Sequence, residues 1–195
     1  MRSRRALLAS AVIVGSYPLA LGVQQLFGGG ADTVVHLVTG AGFVLFATSV
    51  FDFDLPRWVN VLGAAAAGVF GAIFVLQGVS DLSHIEGLRV LAFDVLGHHL
   101  ERLLPDVVYL WFLALLLLAS SGKSRILGWV VMVVVVGAEL ASLAALLFSF
   151  TMPNLKVTLL LPFVWLLFES AERPARGEES LEHSTGSPVS REPST

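Results

Sequence analysis

The stretch RWVNVLGAAAAGVFGAIFVLQGV, Arg57 to Val79, carries no charge after its first residue. A bilayer core about 30 Å thick is crossed by roughly 20 apolar residues wound as an α-helix. This stretch therefore predicts a membrane span. Its small residues fall into two ladders of spacing four, Ala64/Gly68/Ala72 and Gly63/Ala67/Gly71. Such ladders let helix backbones approach closely, so this span is expected to pack inside a bundle.

Outward from it, five further segments read the same way. They are Ala6 to Phe27, Asp32 to Phe51, Leu104 to Ser120, Arg125 to Phe150 and Leu155 to Ser170. Pro18 is expected to kink the first and Pro162 lies in the last. Residues 80–103 hold too many charges to span. Leu88, Leu91, Val95 and Leu103, with Leu96 and Leu100 beside them, form an apolar stripe at helical spacing. That pattern predicts an amphipathic helix on the outer interface. Residues 171–195 are rich in Glu, Ser, Pro and Gly and read as a disordered cytoplasmic tail that holds His183. The expected organisation is an all-α membrane domain over 1–170, with six spans, followed by that tail.

Composition agrees. Of 195 residues, 55% are hydrophobic and only 14% charged, with a mean hydropathy of +0.80. A soluble domain carries about 25% charge, so a water-soluble globular enzyme is excluded. The net charge of −3 and the lack of a basic face exclude a nucleic-acid binder. With no cysteine there is no disulfide, thiolate metal site or cysteine nucleophile.

Lys and Arg set the orientation. With a cytoplasmic N-terminus, Arg2, Arg4, Arg5, Arg57, Lys123, Arg125, Arg173, Arg176 and Arg191 lie inside, against Arg89, Arg102 and Lys156 outside. The expectation is a multi-pass cell-membrane protein with both termini cytoplasmic. Trp58, Trp129 and Trp165 then approach the inner interface and Trp111 the outer one. Ser3-Arg4-Arg5 has a twin-arginine look. It reads as a positive-inside anchor, because the following apolar stretch is too long for a signal peptide and closes with no cleavage site.

This topology sorts the polar residues. Gln24, Gln25, Asp32, His36, Gln77 and Asp81 fall at outer ends of spans. His84, Glu86, Arg89, Asp94, His98, His99, Glu101, Arg102 and Asp106 follow on the same side. Asp32, His36, Thr39, Gly40 and Phe43 share a helix face that is expected to look into the bundle. The plain reading of His36 is a buried histidine satisfied by Asp32 or a backbone carbonyl. The sharper reading joins His36 to Asp94 and His98, which stand one turn apart. Three N/O ligands with an open position suit a catalytic divalent metal such as zinc. Metal-bound water would be the nucleophile, with Glu101 or Glu86 as base. Axial haem ligation by His36 with His98 or His99 is the weaker use of the same residues. Glu139, midway along the fifth span, reads as a hydrogen-bonded packing residue, with a proton relay or cation ligand as the functional alternative.

Asp32-Thr33-Val34-Val35-His36-Leu37 resembles the Asp-Lys-x-x-His-Phe motif of VanZ-like membrane proteins. Gln77, Arg89, Asp94 and Gly97 follow in the order of that family's later motif residues. The resemblance covers roughly the middle third of the chain. It departs from the pattern at Thr33, in the long gap from Gln77 to Asp94, and at His98-His99. It implies a cell-envelope context linked to glycopeptide-antibiotic resistance, and no settled chemistry.

Two functions follow. One is a metal-dependent hydrolase acting on a lipid or cell-envelope substrate at the outer mouth. The other is a non-catalytic lipid-binding, transport or docking subunit, partnered by membrane lipids and by a second copy or another membrane protein.

Overall fold

Apolar helical segments bury their faces against one another, and a helical bundle is the arrangement found. The structure is a computed structural model describing residues 4–28, 30–97, 100, 103–148 and 155–169. Among them there is no strand. The helices are α1 (Arg4–Phe27), α2 (Ala31–Ser49), α3 (Arg57–Ser83), α4 (Glu86–Arg89), α5 (Leu103–Leu118), α6 (Lys123–Phe148) and α7 (Thr158–Glu169). A π-helical stretch, Val90–Gly97, continues α4. A 3₁₀ turn, Leu155–Leu160, opens α7.

Four of these helices are long and apolar enough to cross a membrane: α1, α2 with its 3₁₀ extension to Asp52, α3, and α6. The helices α5 and α7 are apolar but shorter. The tail expected over 171–195 lies outside the described residues.

Packing shows how the elements alternate. A Cβ built on Gly42 would meet Ile13, and Thr39 donates to Ser16 at 2.8 Å, so α1 and α2 run antiparallel. A Cβ on Gly40 would stand 2.8 Å from the Gly71 carbonyl oxygen and 2.8 Å from the Val75 nitrogen. The reverse contact, Gly71 to the Gly40 oxygen, is also 2.8 Å. Here the backbones of α2 and α3 touch, and no side chain fits between them. The buried ladder on α3 is therefore Gly63/Ala67/Gly71, used on two fronts. Gly71 meets α2, while Gly63 lies against the Trp111 ring on α5. The other ladder is less buried, and Ala72 is exposed.

The core between α2, α5 and α7 is aromatic. Phe46 stacks on Phe112 at 5.7 Å, and Phe163 meets Phe43, Phe46 and Phe112 edge-on at 5.1–5.2 Å. Such pairs add about 0.5–1.5 kcal/mol each beyond burial.

Two tryptophans expected at the interfaces belong to this core. Trp111 is 2% exposed and Trp165 is fully buried. Each indole N–H has a partner: Trp111 donates to Asn60 Oδ1 at 3.0 Å and Trp165 to the Ser124 carbonyl at 2.7 Å. A buried indole needs such an acceptor, and helix positions able to supply one hold these rings inside. Trp58 and Trp129 are exposed.

Candidate functional site

The α2–α3 register sets the site. Leu37 lies over Gly78, and at the end of the same antiparallel pair His36 meets Asp81. His36 Nδ1 donates to Asp81 Oδ2 at 3.0 Å. The pair is part-buried, the two side chains being 20% and 26% exposed. The edges of Phe74 and Phe93 pack round the imidazole at 5.6 and 5.7 Å. With Nδ1–H committed to a carboxylate, Nε2 carries the lone pair and is the basic or ligating nitrogen.

Behind this pair stands Gln77, one turn before Asp81 and 1% exposed. Its Nε2 donates to the Ala92 carbonyl at 3.5 Å, a long bond that ties α3 to the π-helical stretch. Ser80 donates to the Gln77 carbonyl at 2.8 Å. The helix ends at His84, whose φ of 54° is left-handed and whose N–H bonds the Ser80 carbonyl at 3.1 Å. Histidine is among the residues enriched in that conformation. The reversal sends α4 back beside the end of α3. Between them lies a cavity of about 250 Å³ lined by Ser80, Asp81, His84, Glu86 and Arg89. Asp81 thus serves both the cavity and His36.

The candidates read from the sequence divide. His36, Gln77 and Glu86 gather at this end of the bundle, with Arg89 of the family-like pattern. Asp32 is exposed in the first turn of α2, and the partner of His36 is Asp81. Asp94 is exposed on the π-helical stretch, one residue after the ring that packs on His36. His98, His99 and Glu101 lie outside the described residues. Among the described residues no group of three or more His, Asp or Glu stands where it could hold a metal ion.

Glu139 is exposed, although its position on α6 continues the stripe of Gly128, Val131 and Val135 that packs inward. It lies within electrostatic reach of Asp106 and of Tyr109, whose hydroxyl is hydrogen-bonded with Thr158.

Asp81 is the residue that the sequence reading did not single out. Its one available signal is position: it falls four residues after Gln77, on the same face of α3.

No family model, no curated protein and no solved structure matches this chain.

Proposed function

We propose that this protein is a multi-pass cell-membrane protein of six spans, both termini cytoplasmic, that hydrolyses a phosphoester at the headgroup of a lipid or lipid-linked cell-envelope substrate. The His36 end of the bundle faces outward, and residues 80–103 form its interfacial segment. The observation that carries the reading is the 3.0 Å bond from His36 to Asp81, a carboxylate that lines a polar cavity together with Arg89.

The chemistry follows from those groups. Nε2 of His36 takes a proton from water as the resulting hydroxide attacks phosphorus. Asp81 stabilises the imidazolium that forms, and His36 returns the proton to the leaving alcohol. Arg89 neutralises charge on the phosphoryl oxygens. The envelope context agrees with the VanZ-like pattern of Asp32, His36, Gln77 and Arg89.

One observation favours a metal-dependent version: a carboxylate on Nδ1 is the usual support of a metal-ligating histidine. A divalent metal would then take His36 Nε2, Asp94 and His98, and would supply an activated water. The described residues do not by themselves complete that set.

The test is hydrolysis by the purified full chain in vesicles of phosphatidylethanolamine and phosphatidylglycerol, read as released headgroup by mass spectrometry. Turnover that His36→Asn lowers by about 10²-fold or more supports the reading. Equal turnover in the variant, or none in the parent protein, overturns it.

A further inference from the structure

The cavity beside His36 holds opposite charges that do not neutralise one another. Glu86 and Arg89 both line it, three residues apart on α4. That spacing commonly pairs an acid with a base. Yet Glu86 and Arg89 are not joined in an ion pair. The carboxylate and the guanidinium instead stand apart around about 250 Å³ of space.

We propose that this cavity takes a zwitterionic headgroup, a phosphate joined to a primary ammonium by a short carbon link. The assignment deepens the headgroup reading above and rests on it. Arg89 offers its fork of donors to the phosphate oxygens. Glu86 accepts from the ammonium at the other end of the ligand. The Ser80 hydroxyl, whose hydrogen is committed to the Gln77 carbonyl, presents its oxygen as a further acceptor. Asp81, held by His36, adds a second carboxylate to the lining and disfavours a ligand that is anionic throughout.

The surroundings indicate how such a group arrives. Leu82, Ile85 and Val90, interleaved with the lining residues, are 63%, 58% and 47% exposed. At the edge of a bilayer, this apolar rim lies against acyl chains while the headgroup enters the polar cavity. A lipid-borne zwitterion therefore fits better than a free one.

The experiment equilibrates the full-length protein with equimolar phosphatidylethanolamine and phosphatidylglycerol in mixed micelles and measures the lipid it retains. About tenfold enrichment of phosphatidylethanolamine is expected, the ratio that one charge-assisted contact supplies. Glu86→Gln removes that enrichment, and Arg89→Gln lowers retention of both lipids. Both residues are exposed, so neither change threatens folding. No preference in the parent protein, or a preference that survives Glu86→Gln, overturns the proposal. Competition with soluble O-phosphoethanolamine separates the sources: displacement supports recognition of the headgroup alone, and retention of the lipid against it supports a lipid-borne ligand. Turnover fails separately. Enrichment without hydrolysis overturns the hydrolase reading and leaves the headgroup assignment standing.

Discussion

Asp81 accepts a hydrogen bond from His36 Nδ1 at 3.0 Å across a sequence separation of 45 residues. A carboxylate placed there holds one ring tautomer and stabilises the protonated ring once it forms. Asp81→Asn keeps the shape and removes the charge. On the proposed function, hydrolysis falls by about 10²-fold or more in this variant while circular dichroism keeps its helical signal. An Asp81→Asn protein with full turnover would show that the pair is only a clamp between α2 and α3.

Chelation separates the two forms of the mechanism. With His36 acting as the base, hydrolysis persists after exhaustive treatment with a chelator. If activity is lost and returns with zinc, and the purified, untagged protein holds about one zinc that His36→Ala removes, Nε2 is a metal ligand. Elemental analysis beside the activity assay decides between them.

Backbone contact at Gly40 and Gly71 makes an independent structural prediction. A methyl group on either meets backbone atoms at 2.8 Å, which cannot rotate away. Gly71→Ala and Gly40→Ala should each cost about 1–3 kcal/mol, seen as a lower unfolding temperature in detergent. Because this contact sets the register that brings His36 to Asp81, turnover should fall with it. Gly15→Ala is the control, since a Cβ there meets nothing within 4 Å.

Asn60 ties α3 to α5 and to the turn that precedes α3. It is 4% exposed, accepts from Trp111 Nε1 at 3.0 Å and donates through Nδ2 to the Phe53 carbonyl at 3.1 Å. Asn60→Ala leaves both partners without this side chain in an apolar setting, for a loss of about 1–3 kcal/mol. Thermal unfolding followed by Trp fluorescence reads the loss, with Val61→Ala on the exposed face as the comparison.

The absence of cysteine allows a clean topology measurement. In sealed right-side-out vesicles, a membrane-impermeant maleimide should label Glu86→Cys at once and Lys123→Cys only after permeabilisation. Both positions are exposed. The opposite pattern would invert the orientation on which the outward-facing site depends.

Hydropathy alone determined that this chain is helical and membrane-compatible. Long uncharged runs such as Arg57 to Val79 permit little else, because each helix satisfies its own backbone hydrogen bonds. The order of the polar residues also placed His36, Gln77 and Glu86 at helix ends that alternating helices bring together. These properties are local, and a single segment carries them.

Partner choice is not local. Asp32 is one turn from His36 and the sequence offers it, or a backbone carbonyl, as the partner, yet the tertiary structure brings Asp81. The choice depends on how far α3 slides and rotates against α2, and that is set where Gly40 and Gly71 let two backbones touch. Burial of Trp111 and Trp165 has the same origin. An indole reads as interfacial or internal according to whether another helix holds out an acceptor, here Asn60 and the Ser124 carbonyl. Glu139 shows the converse: its helix phase points inward, yet it is exposed. Helix existence is written in composition and period; helix register is decided by steric fit between surfaces far apart in the chain.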